Sequence, residues 1–238
     1  MDPIEITRTE YDRAYKSEGF AAQRLYPNEE LLRFLGRNFF GRVPREERRA
    51  MPVLEVGCGS GANLWMIARE GFEAHGLELS SEALVLCRRM LARWDAAATL
   101  HEASMSAMPL ASASFAAVAD VFSSYCLPVE GFRAYLSEVR RVLAPGGLLF
   151  SYTPSAESEA WKRFAPAVKL DEYTLNGIHR ADSPFCGNHY PFRFETPEHV
   201  EALLGEAGLK LRACERIGRT YRNRGEYFEF LAYEAEAR

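Results

Sequence analysis

Apolar and polar positions along the chain change period in a regular way. EELLRFLGRNF (29–39) places Leu31, Leu32, Phe34, Leu35 and Phe39 near helical spacing behind Asn28, a good N-cap. PVLEVG (52–57) is a continuous apolar run opened by Pro52 and predicts a first strand. A helix is expected from about Gly61 to Glu70, where Gly71 stops it. EAHGLELS (73–80) predicts a second strand. SSEALVLCRRMLARW (80–94) predicts a serine-capped helix with apolar positions at 84, 85, 87, 91 and 94. ATLHEAS (98–104) reads as a short third strand and FAAVADVFSS (115–124) as a fourth. GFRAYLSEVRRVL (131–143) is amphipathic, APGG ends it, and LLFSYTP (148–154) predicts a fifth strand. TPEHVEALLGEAG (196–208) restores a helix, with Thr196 as cap and Pro197 at its first position. LKLRACERI and EYFEFLAYEAE predict two closing strands. The short turn-like RNRG between them makes that pair antiparallel.

Strands alternating with helices imply a mostly parallel sheet with helices on both faces, an α/β fold. We expect a single domain over 1–238, with an N-terminal helical extension (1–50) and an insertion at about 155–195. The insertion carries Pro166, Asn176, Gly177, Pro184, Gly187 and Pro191, and its irregularity marks it as functional.

Composition narrows the class. The chain has 238 residues, 47% hydrophobic and 26% charged, with a formal net charge of −4. That is an ordinary soluble composition. The basic runs RVPREERR (42–49) and RTYRNR (219–224) are short, so no nucleic-acid partner is expected. The five cysteines (58, 87, 126, 186, 214) form no CxxC pair, which argues against disulfides and zinc and for a reducing compartment. MDPIEITRTEYDRAY is polar and acidic, unlike a signal peptide, and the apolar runs near 148 and 203 are too short for a bilayer. The expectation is a cytoplasmic protein with no membrane partner.

The chemistry concentrates after the first strand. Gly57, Gly59 and Gly61 in GCGSGA fit a dinucleotide-binding turn, at the carboxyl end of a strand where open α/β sheets bind ligands. Glu55 lies two residues earlier. A buried carboxylate there repels a pyrophosphate by about several kcal/mol. It favours a ligand carrying an ammonium group. Glu78 ends the second strand, 21 residues after Gly57, where an acidic residue accepts hydrogen bonds from ribose hydroxyls.

VLEVGCGSGANL, GLELS, SMSAMPLASASF and EVRRVLAPGGLLF, in this order and spacing, resemble the class I S-adenosylmethionine-dependent methyltransferases. The likeness covers roughly 50–155 and resumes in the closing helix and strand pair. It implies a Rossmann-like seven-stranded sheet of order 3-2-1-4-5-7-6 with strand 7 antiparallel. It also implies S-adenosylmethionine as cofactor, S-adenosylhomocysteine as product and a small-molecule acceptor, with family frequency favouring oxygen. By the same resemblance, Glu55 and the turn of Gly57, Cys58, Gly59 and Gly61 hold the methionine part, while Glu78 and Leu79 meet the nucleoside. Ser104 stands where many members carry an acidic residue for the adenine amino group, and Met105 offers its backbone N–H and packing. Phe115-Ala116 replaces a frequent Phe-Asp. These departures keep open a non-catalytic cofactor-binding or regulatory protein. Glu55 disfavours the other rival, an NAD-dependent oxidoreductase. RLYPNEELLRFLGRN resembles a bacterial subgroup in which Tyr26 would lie close to the cofactor or cover the pocket; an aromatic anchoring a helix start fits it equally.

Methyl transfer from a sulfonium is an in-line displacement in which positioning can contribute about 7–11 kcal/mol. A base is needed only where the acceptor must lose a proton. Asp120, a carboxylate inside the apolar fourth strand, is a candidate for the ammonium or the acceptor; pairing with an arginine is the structural alternative. Ser123, Ser124 and Tyr125 follow at the strand end, placed to line the pocket, with Tyr125 a candidate acceptor contact. From the insertion, His189 is the preferred general base because it abuts the aromatic YPFRF run. His179, Arg180, Tyr190 and Arg193 are candidate acceptor contacts, the arginines for an anionic group. His179, Asp182 and His189 lack a recognised ligand spacing, so no metal is expected.

Overall fold

A computed structural model describes residues 3–238. Met1 and Asp2, the start of the expected extension, lie outside the described residues.

Seven strands form one sheet: β1 (Pro52–Val56), β2 (Glu73–Glu78), β3 (Thr99–Glu102), β4 (Phe115–Val121), β5 (Leu143–Pro154), β8 (Leu209–Tyr221) and β9 (Glu226–Ala237). Their order is β3-β2-β1-β4-β5-β9-β8, and β9 runs antiparallel to both neighbours. This is the expected seven-strand order, with β8 and β9 as its sixth and seventh strands. β1 pairs with β2 on one side and β4 on the other. The chain order reverses there, which opens a crevice at the strands' carboxyl ends.

Both faces of the sheet are covered, which explains why its central strands are apolar throughout rather than alternating. Val53, Ala117 and Phe150 face a core closed by α2 (Glu29–Leu35), α3 (Leu64–Arg69) and α4 (Ser81–Arg93). Leu54, Val118 and Leu149 face the opposite core under α5 (Val129–Val142) and α7 (Pro197–Glu206). Each fully buried Leu or Phe contributes roughly 1.5–3 kcal/mol. The caps form as their side chains allow: Asn28 Oδ1 accepts from Glu30 N (2.8 Å) and Leu31 N (3.1 Å), Ser80 Oγ from Ala83 N (3.1 Å), and Thr196 Oγ1 from His199 N (3.2 Å).

Several boundaries differ from the pattern. α3 is shorter than expected. α5 passes into β5 without an intervening loop, because Ala144–Gly147 are absorbed into the strand with a register shift against β4. Within the expected helical extension, α1 (Pro3–Glu18), whose bounds the pattern did not mark, lies against α4, with Tyr15 buried beside Ala83 and Leu86. The insertion contains α6 (Glu159–Lys162) and an antiparallel pair, β6 (Thr174–Leu175) and β7 (Phe192–Arg193). No helix among the described residues is long and apolar enough to cross a membrane.

Candidate active site

The crevice beyond β1, β2 and β4 holds a cleft, at the place where open α/β sheets bind ligands. Its floor starts at the glycine turn. Gly57 has φ +59°, and a Cβ there would stand 2.5 Å from Ser123. Gly61 serves packing instead: a Cβ would lie 2.9 Å from Cys87 Sγ of α4. The turn is tied to β2 through Glu78. Its Oε2 accepts from Gly59 N (2.9 Å), and its Oε1 accepts from Leu79 N (2.8 Å) and Ser80 N (2.9 Å). Burial pushes the Glu78 carboxyl above its usual range, and these three amides pull it back.

Glu55 sits beneath the turn, 2% exposed. Its Oε1 accepts from Asn63 Nδ2 at 2.6 Å, whereas its Oε2 is buried with no hydrogen-bond partner. Burial pushes this carboxyl up to about 8, against the Asn63 hydrogen bond and the Arg24 charge. Asn63 Oδ1 also accepts from Asn28 N (2.8 Å), which joins the turn to the start of α2.

The walls come from Ala103, Ser104 and Met105 after β3, and from Phe122, Ser123, Cys126 and Leu127 after β4. Phe122 holds a left-handed backbone, φ +58°. That costs a non-glycine residue about 1–3 kcal/mol and is a common mark of a functional site. Its ring lines the cleft and stacks on Tyr125 at 4.2 Å between centroids.

The roof is α1. Ile4, Thr7, Arg8, Tyr11 and Tyr15 line the cleft from above, with Gln23. A Cβ on Gly59 would collide with Gln23 Oε1 and the Tyr15 hydroxyl, so roof and floor meet closely. Tyr11 also joins a closed ring of hydroxyls. Tyr11 and Tyr125 are 2.9 Å apart, Tyr125 and Tyr190 2.7 Å, and Tyr190 donates to Tyr11 at 3.0 Å.

Gly57, Glu78, Leu79, Ser104 and Met105 therefore border one cleft. Tyr125 and Tyr190 do not border it; their hydroxyls meet that of Tyr11, which does. The other expected residues lie elsewhere. Cys58 is buried under the turn against Gly76 of β2. Asp120 is fully buried and saturated: Oδ1 accepts from Ser123 N and Ser124 N (3.1 Å each), and Oδ2 from Ser124 Oγ (2.5 Å) and Ser151 Oγ (3.0 Å). It shapes the β4 turn and has no lone pair left for a ligand. Its partners are serines and amides, so the alternative of direct pairing with an arginine fails as well.

The insertion corrects four further expectations. His189 is exposed and pairs with His179, ring centroids 5.4 Å apart, off the cleft. Arg180 is bound to the buried Glu226 (2.9 Å). Arg193 is fully buried, donating to Glu195 (2.5 Å) and to the carbonyls of Ser124 (2.7 Å) and Leu127 (2.6 Å). Neither arginine is available to a substrate anion. Tyr26 is 59% exposed and edges onto Trp94, so it anchors the chain outside the cleft rather than covering it. The covering residues, Tyr11 and Tyr15, carry a signal in the sequence: Ile4, Thr7, Tyr11 and Tyr15 recur at helical spacing.

Fold and cleft together define an α/β protein with an open cleft at the switch point of its sheet. The chain is similar in sequence to S-adenosylmethionine-dependent methyltransferases over its central part. A family model described as a methyltransferase domain matches residues 53–147. Among curated relatives, a fatty-acid O-methyltransferase of Mycolicibacterium smegmatis is 32% identical over 160 residues, 64% of this chain and 57% of that protein. A ubiquinone biosynthesis O-methyltransferase of Mesorhizobium japonicum is 24% identical, over 76% of this chain and 69% of the relative. The chain spans 57–58% of the length of the first curated relatives it matches. Among solved structures, a Pyrococcus horikoshii protein shares the fold with a TM-score of 0.69 at 17% identity, over 94% of this chain and 98% of that one. A magnesium protoporphyrin IX methyltransferase from Synechocystis, solved with S-adenosylhomocysteine, gives 0.65 at 14% identity over the full length of both chains.

Proposed function

We propose that the protein transfers methyl groups from S-adenosylmethionine to an oxygen of a small molecule. The observation that carries this reading is the unpartnered Glu55 Oε2 below the glycine turn. A buried carboxylate oxygen without a donor suits a cationic ligand and opposes a pyrophosphate. The remaining residues fit the same ligand. A carboxylate offers about four acceptor sites, and Glu78 has three occupied by backbone amides; the fourth is free for a ribose hydroxyl. Leu79 and Met105 supply apolar walls for a purine, and Ser104 a hydroxyl at its edge. When bound, the cofactor supplies an electrophilic methyl carbon on a sulfonium. The names of the fatty-acid and ubiquinone-biosynthesis relatives favour oxygen as the acceptor atom. Five free cysteines, three of them buried, support a cytoplasmic setting.

Calorimetry with S-adenosylmethionine, S-adenosylhomocysteine and NAD tests the reading. The first two should bind and NAD should not; tight NAD binding alone would sink it. A second reading, a cofactor-binding protein without turnover, gains weight because Asp120 is saturated and His189 lies off the cleft. Release of S-adenosylhomocysteine in the presence of an acceptor separates the two.

A further inference from the structure

Three phenols from distant parts of the chain bring their hydroxyls together beside the cleft. Tyr11 comes from the roof helix, Tyr125 from the turn after β4, and Tyr190 from the insertion. Their oxygens lie 2.7 to 3.0 Å from one another. Tyr11 lines the cleft directly, and Tyr125 lies one aromatic layer behind it, under Phe122. The Asn188 side chain also approaches the Tyr190 hydroxyl. Phenylalanine would fill the same space without burying three polar groups, so the hydroxyls call for a role beyond packing.

We propose that this ring of tyrosine hydroxyls is the seat of the acceptor's reacting oxygen, and that the acceptor is an oxygen acid, a carboxylate or a phenolate, that arrives already ionised. This rests on the methyltransferase reading above. A hydroxyl can rotate, so a ring that closes on itself can open to present two or three donors to one anionic oxygen. Burial raises the pKa of all three phenols, which keeps them protonated as donors and unfit as bases. Among the described residues, no other group near the ring supplies a base. Asp120 is saturated, Glu78 is held by the turn, and the insertion histidines lie off the cleft. A neutral alcohol has nowhere to leave its proton. An amine cation would meet no free carboxylate at the ring. An ionised oxygen needs neither: its lone pair forms the O–C bond, the C–S bond breaks with its pair left on sulfur, and no proton is released. Phe122, which borders the cleft, suits an apolar body behind the acidic group.

The test uses the full chain saturated with S-adenosylhomocysteine and four probes: dodecanoate, 4-nitrophenolate, dodecanol and dodecylamine. Calorimetry should show binding of dodecanoate or 4-nitrophenolate and neither of the others; whichever anion binds separates carboxylate from phenolate acceptors. Tyr125→Phe and Tyr190→Phe should each weaken that anion about 10- to 100-fold, the loss of a hydrogen bond to a charged group. S-adenosylhomocysteine affinity should stay within twofold. Tyrosine difference absorbance should report anion binding in wild type and shrink in each variant. A preference for the alcohol or the amine overturns the inference, as does an anion affinity unmoved by either substitution or the binding of no probe. In those cases retained S-adenosylhomocysteine binding leaves the proposed function standing. Failure to bind S-adenosylhomocysteine would remove both. A merely structural ring would lower the melting temperature in the variants and leave anion affinity unchanged.

Discussion

The floor and the roof of the cleft are built by opposite means. In the floor, one carboxylate gathers three amides from residues close to it: Glu78 with Gly59, Leu79 and Ser80, at sequence separations of 19, 1 and 2. Where the roof meets the β4 turn and the insertion, three hydroxyls come together across separations of 114, 65 and 179 residues. Backbone geometry sets the floor, so a short stretch specifies it. Side chains of remote segments set the junction, so the whole fold must assemble first. Cofactor recognition, on our proposal, lives in the part that is locally determined. Acceptor recognition, on our proposal, lives in the part that is not.

Substitutions can break this division, and the foundation of the acceptor side should give the largest effect. Arg193 bonds Glu195 and the carbonyls of Ser124 and Leu127, and its guanidinium lies 3.6 Å from the centre of the Phe132 ring. It pins the turn that carries Tyr125. Arg193→Met would leave a fully buried Glu195 with only His199 beside it. Removing one partner of a buried pair costs about 3–5 kcal/mol. Chemical denaturation should show that loss. A stable variant with weakened acceptor binding alone would instead return Arg193 to the substrate.

Glu78→Ala tests the floor. It removes the acceptor of three amides and the free site for the ribose. Hydrogen bonds to a charged group contribute about 1.5–3 kcal/mol each. S-adenosylhomocysteine affinity should therefore fall at least 10- to 100-fold by calorimetry. An unchanged affinity would refute the ribose role.

The same division explains what was legible in the sequence. GCGSG and GLELS announce themselves because a tight turn needs particular residues in a particular order. The sheet order followed from resemblance and from the strand and helix periods. The bounds of α1 escaped because its buried face is Ile4, Thr7, Tyr11 and Tyr15, which reads as weakly apolar; that face meets a ligand cleft and α4 rather than the main core. His189 and Tyr190 are adjacent and point differently, one exposed and one bonded into the ring; only the path of the insertion decides which enters. Arg193 and Glu195 did carry a signal. They stand two apart in PFRFE, among buried phenylalanines, and so share one side of an extended segment. A charged pair in such a run reads as an internal ion pair before it reads as a substrate clamp.

Glu55 offers a smaller effect with a definite sign. In the free protein its carboxyl titrates at about 8, against roughly 4.3 in an unfolded chain. A bound ammonium favours the ionised form, so binding should release a proton below pH 8. Affinity for S-adenosylhomocysteine should rise with pH by up to about tenfold per unit between 6 and 8, then level off. The stability of the free protein moves the other way. Because the folded value is raised, Glu55's contribution is complete below about pH 4 and is lost as pH rises through 8. Glu55→Gln should flatten both trends. Calorimetry in buffers of different ionisation enthalpy reads the released proton, and a flat wild-type profile would place Glu55 away from the ammonium.

The smallest effect should come from His189. It is exposed, its ring neighbour is His179, and it does not border the cleft. Surface substitutions of this kind change stability by about 0.5 kcal/mol or less. His189→Ala should leave S-adenosylhomocysteine affinity, acceptor affinity and turnover within twofold of wild type. An ionised acceptor makes the same demand, since it leaves no proton for a base to take. A tenfold fall in turnover with unchanged binding would show that the insertion folds inward during the reaction and delivers His189 to the acceptor. The insertion would then take part in proton transfer, and its separation from the chemistry of the floor would fail at that one residue.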